Sequence, residues 1–213
     1  QELNSLFTMI AYHSGMEFSY EGLSKESGVK KETIRKYIQY LEAAFLIKVI
    51  TRTDDTAKRF QRQTTFKIYL TNPSLRCALF DPVKMIDGNV GDMIETAIYS
   101  QWIPRSEHIA YANWKIGRTQ GEVDLVGINE ALQKPYWAVE IKWSDRFFDK
   151  PAELSSLQYY MEKNHLLQAL VTSISQAGDK NMPFGNLHFI PCACYAYTVG
   201  LNTLRQAKRS FGL

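Results

Sequence analysis

Two short segments in the second half of the chain place charged residues between apolar ones. Asp124 lies in the run Glu-Val-Asp-Leu-Val at residues 122–126, and Glu140 and Lys142 lie in the run Ala-Val-Glu-Ile-Lys at residues 138–142. Both runs are typical of β-strands, whose side chains alternate between two faces, so Glu140 and Lys142 are expected on one face. An adjacent Asp124 would add a second hard oxygen ligand. The set could therefore bind Mg²⁺ or Mn²⁺ and stabilise negative charge during phosphodiester hydrolysis.

A mixed α/β core is predicted around these residues. Glu95 lies in the run 91–102, where Ile94, Ile98 and Trp102 recur at helical spacing. The other predicted elements are strands at residues 108–115, 121–128 and 136–143, a hairpin turn at 129–134, a helix at 151–164, a strand at 168–173 and a last strand at 187–197. This order predicts a mixed sheet flanked by helices, of class α/β (α+β).

The first half of the chain has the pattern of a winged helix-turn-helix. Helices are predicted at residues 3–12, after Ser19, and at 30–45, followed by strands at 45–51 and 65–71 and a basic wing between them. The outward residues of the third helix and two arginines of the wing are the predicted DNA contacts: Lys31, Thr33, Arg35, Lys36, Gln39, Arg59 and Arg62. A winged helix that only packs against protein would have the same pattern, and that alternative stays open.

The charge of the chain is concentrated in this first half. Residues 30–76 contain eleven Lys or Arg and four Asp or Glu, an excess of seven, whereas the whole chain of 213 residues has a net charge of +3. A local basic surface favours a nucleic-acid partner. No apolar run approaches the roughly 20 residues that a membrane-spanning helix needs, and no signal-peptide pattern is present, so we expect a cytoplasmic protein that does not enter the membrane.

The residues around Asp124 and Glu140 resemble the signature of the PD-(D/E)XK nuclease superfamily. In that superfamily an Asp on one strand precedes a Glu-x-Lys on the next, and a Glu often lies on the preceding helix. The resemblance implies a restriction-endonuclease-like core with Asp124, Glu140, Lys142 and Glu95 as catalytic residues. It further implies that Asp124, Glu140 and the main-chain carbonyl of Ile141 hold Mg²⁺ or Mn²⁺.

The chain as a whole resembles the C-terminal part of a prokaryotic family of uncharacterised AAA-type ATPases. The likeness is carried by residues 23–46, 66–72 and 91–143. It implies a winged-helix domain at residues 1–76, a linker at 77–90 and the nuclease-like domain at 91–213. No Gly-x-x-x-x-Gly-Lys-Ser/Thr run is present, so ATP would bind only through an ATPase module upstream of these residues.

The leading hypothesis is therefore a DNA-associated, Mg²⁺-dependent nuclease region of such an ATPase. The alternative is a catalytically silent DNA- or protein-binding module that regulates the ATPase. A transcription regulator with an α/β ligand-sensing domain would explain the basic helix-turn-helix but not the three charged residues. Besides DNA and the ATPase module, a second copy of the chain is a candidate partner.

Overall fold

The computed structural model describes residues 1–58, 64–85, 87–104 and 108–211, and has a mixed α/β fold. The chain packs into two compact units. The first unit comprises Gln1–Thr51 and Arg62–Pro104, and the second comprises Arg52–Gln61 and Arg105–Leu213. Within the described ranges, none of the helices combines the length and the apolar character needed to cross a membrane.

The first unit surrounds a small antiparallel sheet with helices. Its elements are α1 (Glu2–Tyr12), β1 (Glu17–Ser19), α2 (Tyr20–Ser27), α3 (Lys31–Ala43), β2 (Ile47–Thr53), β3 (Thr65–Leu70), α4 (Ser74–Leu79) and α5 (Val90–Trp102). Strand β3 pairs with both β1 and β2. The Ser19 hydroxyl caps α2 by accepting a hydrogen bond from the Gly22 amide, and Gly28 ends that helix in the left-handed region.

Helix α3 buries one face because its apolar residues recur every three or four positions. Ile34, Ile38 and Leu41 lie on this face and pack in a core with Leu6 and Ile10 of α1. The helix ends at Ala43, two residues before the predicted end, since Phe45 takes a positive φ of 55°. The polar residues of α3 are left on the opposite, solvated face.

The second unit is built on a six-stranded mixed sheet. Its elements are β4 (Ile109–Ile116), β5 (Thr119–Asn129), β6 (Lys134–Glu140), α6 (Arg146–Asp149), a 3₁₀ turn (Pro151–Glu153), α7 (Ser155–Asn164), β7 (Gln168–Ser173), β8 (Gly178–Met182), β9 (Gly185–Pro191) and α8 (Cys192–Phe211). The strand order is β4-β5-β6-β7-β9-β8. Strands β6, β7 and β9 are parallel, and the other pairs are antiparallel.

Several elements differ from those that the sequence predicts. The predicted last strand at 187–197 is wrong beyond Pro191, because α8 begins at Cys192. Cys192, Tyr195 and Val199 are buried at helical spacing, which the uninterrupted apolar run conceals. Strands β1 and β8 and helix α4 were not predicted, and the predicted helix at 151–164 divides into the 3₁₀ turn and α7.

The division into units also differs from the predicted domains at 1–76, 77–90 and 91–213. Helix α5 packs in the first unit, where the Thr96 and Ser14 hydroxyls form a buried hydrogen bond of 2.9 Å. Residues 52–58, predicted as part of the wing, belong to the second unit, so the last two residues of β2 are assigned to that unit. There the Tyr159 hydroxyl donates a hydrogen bond of 2.7 Å to the Asp55 carboxylate, and the side-chain amide of Asn164 donates one to the main-chain carbonyl of Asp55.

Candidate active site

The β5–β6 hairpin positions the two carboxylates that the sequence singles out. Leu125 pairs with Val139 and Val126 with Ala138 in antiparallel register. Continuing this register by one residue places Asp124 opposite Glu140, on the same face of the sheet. Asp124 is fixed there because its Oδ2 atom accepts a hydrogen bond of 2.7 Å from the Ile141 amide.

The Lys142 ammonium lies against both carboxylates. Its Nζ atom is 2.7 Å from Oε1 of Glu140 and 3.5 Å from Oδ2 of Asp124. Strand β6 ends at Glu140, so Lys142 lies just beyond the strand rather than within it. Its side chain is 29% exposed, whereas that of Glu140 is 8% exposed. The structure thus brings together Asp124, Glu140 and Lys142 at the end of β6, with the lysine on the solvent side.

The carboxyl group of Glu140 has a strongly raised pKa. Burial raises the pKa of its carboxyl to about 8, and the nearby Asp124 carboxylate adds to this effect while Lys142 opposes it. One oxygen, Oε1, contacts Lys142. The other, Oε2, is buried and has no hydrogen-bond partner in the described part of the chain. Oε2 of Glu140 therefore has lone pairs available to a ligand at the centre of the cluster.

The donors at this position fit a hard divalent cation by chemical type. Asp124 and Glu140 offer carboxylate oxygens, and Mg²⁺ is commonly bound by one or two carboxylates while it retains several water ligands. Across the described residues, no group of three or more His, Cys, Asp or Glu side chains has the arrangement of a metal site. A cation here would therefore have two carboxylate ligands, and it would share them with Lys142.

Two other acids, the predicted catalytic residue Glu95 and the neighbouring Glu122, have hydrogen-bond partners of their own. Glu95 lies on α5 in the first unit, where its Oε1 atom accepts hydrogen bonds from Lys67 Nζ at 3.2 Å and from the Tyr69 hydroxyl. Its carboxylate is therefore engaged in a part-buried ion pair of that unit. Glu122 lies two residues before Asp124 and accepts a hydrogen bond of 2.7 Å from the side-chain amide of Asn113. Its charge also contributes to the raised pKa of Glu140.

Thr172 is a positioning residue that the sequence did not single out. It is fully buried near the end of β7, and its hydroxyl accepts a hydrogen bond of 2.8 Å from the Lys142 amide. The same hydroxyl donates to the Lys142 carbonyl at 3.1 Å, and the Cys192 thiol donates to that carbonyl at 3.4 Å. The sequence signal was a polar Thr-Ser pair that follows the apolar residues Ala169, Leu170 and Val171 at the end of the strand.

Some of the predicted DNA contacts of α3 form ion pairs within the first unit, and others do not. Lys31 Nζ is 3.0 Å from Oε1 of Glu21, and Arg35 is 3.2 Å from Glu32. Lys36 and Gln39 are exposed and have no side-chain hydrogen bond or ion pair within the described ranges, and Thr33 is half-buried. Arg59 and Arg62 lie outside the described residues.

The first part of the chain is similar to a known protein family. A family model described as a domain of unknown function, DUF8612, matches residues 1–85. This range includes α1 to α4 and ends before the residues of the β5–β6 cluster. No curated protein and no solved structure matches the chain.

Proposed function

We propose that this chain is the C-terminal region of an AAA-type ATPase and that its second unit is a metal-dependent phosphodiesterase of the PD-(D/E)XK type. The proposal rests on one observation above all. Two buried carboxylates converge with a lysine, and one oxygen of Glu140 has no hydrogen-bond partner although it is buried. A buried carboxylate oxygen without a donor is costly, and a cation would satisfy it.

Each residue of the cluster has a role in the proposed reaction. Asp124, Glu140 and the Ile141 carbonyl would hold Mg²⁺ or Mn²⁺, which when bound polarises a phosphoryl oxygen and acidifies a water ligand. Lys142, the most exposed of the charged side chains, would stabilise negative charge on the phosphate. The Ile141 amide keeps Asp124 oriented toward Glu140. The Thr172 hydroxyl bonds to the main-chain amide and carbonyl of Lys142, which fixes the point from which the lysine side chain extends.

The first unit would bring the nuclease unit to DNA. Its α1–α2–α3 helices followed by β2 and β3 agree with a winged helix-turn-helix, and α3 exposes Arg35, Lys36 and Gln39. In a helix-turn-helix such residues contact phosphates and base edges in the major groove. Duplex DNA is therefore the proposed partner, together with an upstream ATPase module and a second copy of the chain.

Cleavage of supercoiled plasmid with Mg²⁺ or Mn²⁺ tests the proposal. The wild type should nick the plasmid, and Glu140→Gln and Lys142→Met should lose the activity. Glu153→Gln is the matched control, because Glu153 pairs with Arg146 at 2.6 Å on an exposed surface of the same unit. Nicking that survives in Glu140→Gln, or that persists without a divalent metal, would contradict the proposed site.

A silent regulatory module is the second candidate, and the position of Lys142 favours it. The ammonium already contacts both carboxylates, as it would in a structural ion-pair triad. Titration of the protein with Mn²⁺ by calorimetry separates the two functions. A silent module with a structural triad should bind no Mn²⁺, whereas the nuclease should bind it in the wild type and lose binding in Glu140→Gln.

A further inference from the structure

A cleft of about 650 Å³ opens on the first unit. Tyr12 at the end of α1, Arg76 and Phe80 at α4, and Asn89 just before α5 contribute to its walls. Tyr12 and Leu79 are 54% and 44% exposed, which provides apolar surface at the cleft. A concave surface of this size accommodates a small molecule.

Arg76 is buried in the wall of the cleft without a partner of opposite charge. The residue is 7% exposed, and its guanidinium carbon lies 5.3 Å from the Tyr12 ring centroid and 5.7 Å from that of Phe80. Its guanidinium forms no hydrogen bond or ion pair with any residue in the described part of the chain. Two aromatic faces compensate only part of the cost of burying a cation, and buried arginines are normally paired.

A second polar group in the same wall also lacks a partner. The Oδ1 atom of Asn89 is buried and accepts no hydrogen bond from the described residues. Asn89 immediately precedes α5, but its side chain makes no capping hydrogen bond to that helix. The cleft thus combines an unpaired five-donor guanidinium with an unused acceptor.

The acidic residues at the cleft restrict the charge of a ligand. Asp81 and Asp87 also line it, both are exposed, and one oxygen of Asp87 accepts a hydrogen bond of 2.7 Å from the Lys84 amide. Two carboxylates beside one guanidinium oppose a polyphosphate or a nucleic-acid backbone. They tolerate a ligand with a single oxyanion that contacts the arginine directly.

We propose that this cleft binds a small ligand that carries one oxyanion, a carboxylate or a single phosphate, beside an apolar or aromatic group. The oxyanion pairs with the planar fork of Arg76, since a guanidinium matches carboxylate and phosphate oxygens two at a time. The apolar part of the ligand packs on Tyr12 and Leu79, and a hydroxyl or amine of the ligand donates to Asn89. The proposal concerns the first unit alone and holds whether or not the second unit cuts DNA.

The experiment compares four probes at matched ionic strength by calorimetry and thermal unfolding. Benzoate and acetate represent the carboxylates, and phenyl phosphate and inorganic phosphate represent the phosphates. Benzoate or phenyl phosphate should bind the wild type, and the tighter of the two identifies the oxyanion. Arg76→Met should weaken that binding about tenfold or more, the loss expected when a charge-assisted pair is removed.

Three variants separate a ligand site from a structural role. Lys25→Met removes a positive charge from the exposed surface of α2 and should bind like the wild type. Arg76→Lys keeps the positive charge but lacks the planar guanidinium that donates two parallel hydrogen bonds. It should bind the ligand more weakly than the wild type and more tightly than Arg76→Met. Without ligand, Arg76→Met should unfold at the wild-type temperature or above it, since an unpaired buried cation is removed.

Two results would overturn the proposal. The first is equal binding of benzoate and phenyl phosphate by the wild type and by both Arg76 variants. The second is the absence of binding by any of the four probes to the wild type. Weaker binding in Arg76→Lys supports the proposal even if Arg76→Met does not fold.

Discussion

The Thr172 hydroxyl holds Lys142 by both main-chain groups, as it accepts from the amide at 2.8 Å and donates to the carbonyl at 3.1 Å. The two residues are 30 positions apart in the sequence. Just beyond the end of β6, the hydroxyl forms the hydrogen bonds that the main chain of a neighbouring strand would otherwise form. The side chain of Lys142 emerges from this fixed point to meet Glu140 and Asp124. The geometry of the charged cluster therefore depends on the neutral, buried Thr172.

Replacing Thr172 by valine should destabilise the second unit. The two side chains have similar volume, but valine leaves the part-buried main-chain amide of Lys142 without its acceptor, which costs about 1–3 kcal/mol. Chemical unfolding would measure this loss, with Thr172→Ser as the control that keeps the hydroxyl. If Thr172→Val and Thr172→Ser are equally stable, the hydroxyl does not position Lys142.

Lys36 should contribute more to DNA binding than the two paired cations of α3. Lys31 and Arg35 already contact Glu21 and Glu32, whereas the exposed Lys36 has no such partner in the described ranges. Lys36→Ala should weaken binding of duplex DNA at all sequences alike and lower the slope of log K against log salt by about 1. Fluorescence anisotropy over a salt series measures both quantities.

The control for Lys36 is Lys25→Ala, which removes the same charge from α2. An equal loss of affinity in Lys25→Ala and Lys36→Ala would indicate a diffuse effect of net charge instead of contact by α3. No loss in either variant would contradict the proposed role of this helix and favour a protein-packing function for the first unit.

Gly127 on β5 should not tolerate alanine. A Cβ atom at this position would lie 2.2 Å from Cε2 of Trp137, so either the indole ring or the strand would have to move. Such overpacking costs about 1–3 kcal/mol. Gly91→Ala is the matched control, because nothing lies within 4 Å of a Cβ there, and alanine is the better helix former in α5. Unfolding midpoints in urea should fall for Gly127→Ala and stay level or rise for Gly91→Ala.

The convergence of Asp124, Glu140 and Lys142 could be predicted because it depends on local rules. Side chains alternate along a strand, and a hairpin of a given length brings its two strands into register. The partners of Glu95 could not be predicted in this way. Helical spacing indicates which way Glu95 faces, but Lys67 and Tyr69 are 28 and 26 positions away. Only the packing of α5 against β3 brings them together.

The C-terminal third was predicted less well for two physical reasons. Strand β8, Gly178–Met182, is polar and largely exposed at the sheet edge, so it lacks the alternation that identifies a strand. Helix α8 follows β9 with no intervening loop, so one apolar run serves a strand and then a helix. The polar Thr172 was likewise overlooked, since its role is defined by Lys142 on the neighbouring strand end.

The raised pKa of Glu140 predicts how stability depends on pH. Burial moves this pKa from 4.5 to about 8, so between these values the folded protein retains a proton that the unfolded chain has lost. The contribution of Glu140 to the free energy of unfolding should therefore be greatest below pH 4.5. It should fall as the pH rises toward 8, with a slope of up to about 1.4 kcal/mol per pH unit.

Urea unfolding of the wild type and of Glu140→Gln over this pH range measures the effect. Glutamine is neutral at every pH, so the difference in unfolding free energy between the variant and the wild type should grow in favour of the variant as pH rises. Glu153→Gln removes an exposed carboxylate whose pKa is lowered by its hydrogen bond with Arg146, and it should not reproduce this trend. Parallel pH profiles for the wild type and Glu140→Gln would mean that Glu140 is ionised in the folded protein, held in that state by Lys142.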